Sequence, residues 1–200
     1  MSKLNFRYGA MNSGKSDTLI KTAYNYTEKG LAIATIKPAV DTKAGELIAA
    51  RAGGTWEVNI LATAEMDLQQ EVRSFIAREA LKKLNVVLVD EAQFLRTEQI
   101  DQLQHIAKAD QISVIAYGLS TDFQTHLFEG SKRLFELADD IKEIETMCWC
   151  GSKAKFNCRK IDDVYVFDGD QVAIDGEQAV TYDSLCPDCY LTEKAKALAA

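Results

Sequence analysis

The run Gly9-Ala10-Met11-Asn12-Ser13-Gly14-Lys15-Ser16 constrains this chain more than any other feature, because it fits G-x-x-x-x-G-K-[ST]. Leu4 to Tyr8 is a short β-type run just before it, and Lys15 to Lys29 carries Leu19, Ile20, Ala23 and Tyr26 at roughly helical spacing just after it. Glycines let the backbone turn so that successive N–H groups face one anion, and the new helix adds its positive end. In this pattern the lysine reaches the β- and γ-phosphates and the Ser16 hydroxyl ligates Mg²⁺. The chain is therefore expected to bind a nucleoside triphosphate through Gly9 to Ser16. A chance glycine-rich turn is the competing reading, and the strand and helix on either side argue against it.

The second chemical signal is Val86-Val87-Leu88-Val89-Asp90-Glu91, an apolar strand that delivers two carboxylates at its end. Such a strand is expected to lie beside the phosphate loop, with Asp90 holding Mg²⁺ and Glu91 placed to accept a proton from whatever attacks the γ-phosphate. Water as attacker would make an ATPase, and a substrate hydroxyl a kinase.

Short β-type runs and helical patterns alternate as far as about residue 145. Leu31 to Lys37 reads as a buried strand and Gly30 as a helix stop. Residues 65 to 84 carry Leu68, Val72, Phe75, Ile76 and Ala80 at helical spacing. Thr97 is a candidate cap for a helix bearing Ile100, Leu103 and Ile106, and Ile112 to Tyr117 is another strand ending at Gly118. The alternation predicts an α/β fold with a mostly parallel sheet covered on both faces. Pro38 to Ala64 shows no sustained period and is expected to be mostly loop.

After about residue 146 cysteines, turns and short alternating runs replace the helices. All five cysteines lie in the last 53 residues. Cys148-x-Cys150 and Cys186-x-x-Cys189 are close pairs separated by 35 residues, a spacing suited to a structural Cys₄ zinc site. Cys158 is left over and is expected to be a small buried residue. The organisation predicted is a nucleotide-binding domain over 1–145, a zinc-binding module over 146–192 and a tail over 193–200. A formal charge of −7 argues against sequence-independent nucleic-acid binding, which depends on neutralising phosphates. With no apolar run long enough to span a membrane and no secretory signal visible, the chain is expected to be soluble and cytosolic.

Four features stand in the order found in the zinc-containing cytosolic thymidine kinases: the phosphate loop, Asp90-Glu91-Ala92-Gln93-Phe94, Tyr117-Gly118-Leu119-Ser120-Thr121-Asp122-Phe123, and the cysteine pairs. Over nearly its whole length, including Tyr24-Asn25-Tyr26 and Thr146 to Gly151, the chain resembles that family. The resemblance implies a RecA-like P-loop sheet with a zinc-clamped lasso that closes over the nucleoside. It implies ATP, catalytic Mg²⁺ and structural Zn²⁺ as cofactors, and thymidine as substrate with deoxyuridine as its closest competitor. Glu91 would take the proton of the 5′-hydroxyl, while Asp90, Glu91, Ala92 and Gln93 join Gly9 to Ser16 around the nucleotide.

Phe94, Phe123 and Phe128 fall where the family lines its nucleoside pocket, although by composition alone they read as core aromatics. Tyr182 matches the residue that covers the nucleoside, and Val172, Ala173, Ile174, Asp175 and Gly176 match the segment whose main chain binds the base. A cytoplasmic homotetramer inhibited by dTTP is also implied. Departures from the pattern are Lys43 in Asp41-Thr42-Lys43 where an arginine is usual, a longer stretch Gln178 to Thr181 before Tyr182, and Asn157 near the expected position of the thymine methyl. A P-loop ATPase with a zinc ribbon and a nucleotide-switched binding module share some of these features. Turnover of ATP with and without thymidine separates the three.

Overall fold

The computed structural model describes residues 2–42, 44–169, 171 and 180–199. The expected backbone contacts of Val172 to Gly176, and the position of Lys43, lie outside the described residues. β1 (Leu4–Tyr8) passes through the glycine loop into α1 (Lys15–Glu28), followed by β2 (Ile33–Pro38). A hairpin of β3 (Leu47–Ala49) and β4 (Thr55–Glu57) precedes β5 (Ile60–Ala62), α2 (Leu68–Arg78) and β6 (Val86–Val89). A 3₁₀ turn, Ala92–Phe94, leads to α3 (Thr97–Lys108), β7 (Ser113–Gly118), α4 (Glu129–Leu137) and β8 (Asp140–Glu143). The remainder holds β9 (Phe156–Ile161), β10 (Val164–Val166), β11 (Val180–Leu185) and α5 (Pro187–Ala199). The stretch expected as a tail from 193 continues this last helix.

Six strands form the main sheet in the order β5-β2-β6-β7-β1-β8, and every pairing in it is parallel. The four apolar residues of β6 show why a parallel sheet needs such a run. Val87 and Val89 pack into a core with Leu68, Val72, Leu103 and Ile106 from α2 and α3. Val86 and Leu88 point the other way, against Leu19, Ile20 and Ala23 of α1 and Ile48 of the hairpin. Both faces are covered, so alternation disappears from the sequence. Full burial of each such side chain contributes about 1.5–3 kcal/mol. This is the α/β fold with a parallel sheet covered on both faces that the alternation predicted.

Local sequence explains the end of α1 but not the start of α3. Gly30, at φ +72°, stops α1, with its N–H donating to Thr27 O (2.9 Å) and Leu31 N–H to Tyr26 O (3.0 Å). A left-handed residue at that point is where glycine has no Cβ to clash. Thr97 is not the cap of its helix. It is the first helical residue, Arg96 holds the cap position, and Thr97 N–H and O–H both donate to Glu129 (2.8 and 2.9 Å). A distant carboxylate does the work that the sequence assigned to the threonine.

Among the described residues 38 to 64 are mostly loop, as expected, with the short strands of the β3–β4 hairpin and the edge strand β5 set into it. Strands of three residues are too short to display a period. In the sheet, β7 lies between β1 and the strand carrying Asp90. The phosphate loop meets Asp90 by reaching across the end of β7, where Gly9 N–H donates to Gly118 O (3.3 Å).

The second sheet has the antiparallel order β10-β9-β11. Its residues alternate along β9 and β11. Cys158 and Leu185 face a small core with Cys148, Ala154, Cys186 and Tyr190. Asn157, Arg159 and Ser184 are buried polar residues that make their bonds toward the phosphate loop and the segment after β7. No helix among the described residues is long and apolar enough to cross a membrane.

Candidate active site

Gly14, at φ +78°, is the residue before α1, and no side chain caps that helix among the described residues. Its first-turn N–H groups therefore remain available to an anion, with the helix dipole behind them. Asn12 also lies in the left-handed region, at φ 65°. Alternation of such residues with right-handed neighbours makes the concave main chain that suits phosphate. Gly9 has its own reason to be glycine, since a Cβ there would lie 2.4 Å from Ile144 O.

The Lys15 side chain, only 9% exposed, bends back over the loop. Its Nζ donates to Ala10 O (2.9 Å), Gly9 O (3.3 Å) and Ser13 Oγ (3.5 Å). Burial pulls its proton affinity below the usual lysine range, while Glu91 and Asp90 act in the opposite direction. Lys15, Ser16, Asp90 and Glu91 line one cleft of about 420 Å³, together with Lys37 and Arg51. Those last two cations were not singled out from the sequence. Lys37 is buried in β2 and pairs with Asp41 (3.0 Å), and a lysine inside an otherwise apolar strand was the signal available.

Ser16 Oγ donates to Asp90 Oδ2 at 3.2 Å. Burial first, and the neighbouring Glu91 second, push the Asp90 carboxyl up to about 7. A desolvated carboxylate beside a hydroxyl is a donor set that fits a hard divalent cation, whose charge would reverse that shift.

Glu91 adopts φ 48°, left-handed and non-glycine, a conformation that costs about 1–3 kcal/mol and persists where the surroundings enforce it. Gln93 is one of the enforcing residues. Its side chain, 2% exposed, donates from Nε2 to Glu91 Oε2 and accepts at Oε1 from Leu119 N–H (3.0 Å). Gly118 makes room, because a Cβ there would lie 2.7 Å from that Gln93 oxygen. The resemblance placed Gln93 beside the nucleotide; in the structure its carboxamide bonds Glu91, a residue of the cleft lining. Ala92 is buried in the 3₁₀ turn and packs in the main core.

The aromatic residues fall into two groups. Phe94 and Phe128 meet edge to face at 5.6 Å. Phe123 lies under the Arg159 guanidinium, 3.8 Å from its ring centre, and Arg159 Nε donates to the Tyr182 hydroxyl (3.0 Å). Arg159 thus joins Phe123 to Tyr182, a role that sequence inspection missed. Asn157 is buried with both ends of its carboxamide engaged by main chain, at Met11 N–H (2.7 Å) and Thr121 O (2.8 Å).

The thiols of Cys148, Cys150, Cys186 and Cys189 lie within 4.8 Å of one another, and the Cys150 and Cys186 sulfurs are 3.6 Å apart. That is too far for a disulfide and close to the roughly 3.8 Å edge of a tetrahedron with zinc–sulfur bonds of about 2.3 Å. Cys158 stands on the small core at 1% exposure, and burial pushes its thiol up to about 12.

A sequence model of the family described as thymidine kinase matches residues 2–190. The thymidine kinase of enterobacteria phage T4 is 43% identical over 188 residues, covering 93% of this chain and 94% of its own length. That of Mannheimia succiniciproducens is 40% identical over 189 residues, with 93% of each chain covered. Among solved structures, a DnaB-like replicative helicase shares the fold, with a TM-score of 0.51 and 14% identity over 92% of this chain and 56% of its own. Two full-length relatives at this identity, and a family match over nearly every residue, place the chain in the thymidine kinase family.

Proposed function

We propose that this chain is a kinase that transfers the γ-phosphate of ATP to the 5′-hydroxyl of thymidine, giving dTMP and ADP. The observation that carries the reading is the convergence of Lys15, Ser16, Asp90 and Glu91 on one cleft at the carboxyl ends of parallel strands. Lys15 exchanges its loop carbonyls for β- and γ-phosphate oxygens, and the uncapped turn of α1 receives the phosphates. Ser16 and Asp90 would hold Mg²⁺, which supplies charge neutralisation on the phosphates.

Glu91 accepts the hydroxyl proton as the 5′-oxygen bonds to the γ-phosphorus and the bond from that phosphorus to the β,γ-bridging oxygen breaks. Gln93 holds the carboxylate in place through the transfer. Residues 1–145 act as the nucleotide-binding domain. Residues 146–192 form the lasso, with zinc on Cys148, Cys150, Cys186 and Cys189. Phe94, Phe123, Phe128, Tyr182 and the main chain of Val172 to Gly176 bind the nucleoside. The family resemblance supports a cytoplasmic homotetramer inhibited by dTTP, and the acidic charge speaks against a nucleic-acid substrate.

The test is a comparison of kcat/KM for thymidine, deoxyuridine, deoxycytidine and deoxyguanosine with ATP and Mg²⁺. Thymidine should lead, with deoxyuridine next, because one methyl group in an apolar pocket gives about 10–200-fold at most. Cytosine puts an acceptor where thymine has N3–H and leaves site groups unpaired, so it should fall further behind. ATP hydrolysis that ignores thymidine would overturn the kinase reading.

A further inference from the structure

We propose that Asn157 and Ser184, both in the small sheet, are positioning residues that set the shape of the phosphate loop by holding the two peptide groups on either side of Met11. The proposal rests on the phosphoryl-transfer reading of the loop and adds residues to it that lie more than 140 positions away in the chain.

Met11 is the third residue of the loop. Its N–H, which belongs to the Ala10–Met11 peptide, donates to Asn157 Oδ1 at 2.7 Å. Its carbonyl, which belongs to the Met11–Asn12 peptide, accepts from the Ser184 hydroxyl. The two side chains are direct cross-strand partners, Ser184 opposite Asn157 in the β9–β11 register. They therefore reach the loop as one unit from one face of one sheet. Both are buried, Asn157 at 3% and Ser184 at 8% exposure, so solvent does not compete for these bonds. Asn157 Nδ2 in turn donates to Thr121 O at 2.8 Å, which ties the unit to the segment following β7. Nearby, Thr146 Oγ1 approaches Asn12 O at 3.4 Å.

Orientation of peptide planes is what a phosphate loop consists of. An N–H can serve phosphate only if it points into the cradle, and each plane limits the next. The plane fixed by Ser184 leads directly into Asn12, the left-handed residue at φ 65°, and from there into Ser13 and Gly14. Asparagine adopts the left-handed region more readily than most residues, so Asn12 can follow the plane set before it. Met11 N–H, taken by Asn157, is withdrawn from the set that faces the ligand. The same sheet face carries Arg159, which lies over the Phe123 ring, and Tyr182, whose hydroxyl accepts from Arg159. Strands β9 and β11 thus present one pair of side chains to the phosphate loop and the adjacent pair to the aromatic residues.

The experiment titrates the folded full-length protein with the Mg²⁺ complex of a non-hydrolysable ATP analogue, and separately with thymidine, by calorimetry, alongside thermal melting. Ser184→Ala should weaken analogue binding about three- to tenfold, on the scale of one lost hydrogen bond. Ser184→Thr, which keeps the hydroxyl, should restore it. Asn157→Ala should weaken analogue binding about tenfold or more, since it frees both Met11 N–H and Thr121 O. Thymidine affinity of Ser184→Ala should stay within about twofold of the parent, which a general loosening of the sheet would not allow. Parent-like analogue affinity in folded Ser184→Ala and Asn157→Ala overturns the proposal, as does a loss that Ser184→Thr fails to restore. Failure of the phosphoryl-transfer reading itself is seen separately, as no analogue binding by the unsubstituted protein.

Discussion

Glu91→Gln is the substitution that isolates proton acceptance from everything else Glu91 does. Glu91 is partly buried, and the donor on its carboxylate is Gln93 Nε2. A glutamine can offer Gln93 the same oxygen, and its left-handed backbone at φ 48° is imposed by the turn rather than by the carboxylate. Side-chain position and stability should therefore change little. What disappears is a site for the hydroxyl proton. Removing a general base costs about 10²–10⁴ in rate, which corresponds to about 2.7–5.4 kcal/mol of barrier at 1.36 kcal/mol per decade. Lys15 loses one of the two carboxylates that support its charge, yet its bonds to the loop and to phosphate oxygens remain, so KM for ATP should move less than threefold or so. Steady-state kinetics over thymidine and ATP concentration, with melting as a control, measure each quantity. A kcat close to that of the unsubstituted protein would remove Glu91 from the chemistry, and a kcat loss matched by a collapse in melting temperature would make its role structural.

Gln93→Leu should lower kcat and also destabilise the fold by about 1–3 kcal/mol, because Leu119 N–H is left buried without its acceptor; denaturant titration showing no stability loss would contradict the bond. Purified protein should carry one zinc per chain by elemental analysis, and Cys186→Ser should carry none and melt at a lower temperature, since metal binding and folding of such a cluster are linked. Unchelated protein that holds no zinc at full stability would refute the Cys₄ assignment.

The phosphate loop, the acidic strand end and the cysteine pairs were legible in the sequence because each is a local pattern. Eight contiguous residues with flanking strand and helix announce the loop, and Val86 to Val89 announces a strand covered on both faces. Gly30 was legible as a helix stop for the same reason, since its conformation is decided by its own missing Cβ. The family resemblance supplied roles for Phe94, Phe123 and Phe128 that composition would have assigned to the core.

Pairings across the chain were decided by the tertiary structure alone. A polar residue in a short strand reads the same whether it faces water or a buried partner. Asn157 and Ser184 lie 146 and 173 residues from Met11, yet they supply both of its main-chain bonds. The cap of α3 comes from Glu129, and the placement of β7 between β1 and β6 follows from how parallel strands pack, neither of which is written in any window of sequence. Gln93 belongs to the same class: the space left by Gly118 and the Leu119 N–H set its carboxamide against Glu91, a pairing no window of sequence shows. Desolvation makes an unpartnered buried polar group costly, so the partner that the fold brings near determines what such a side chain does.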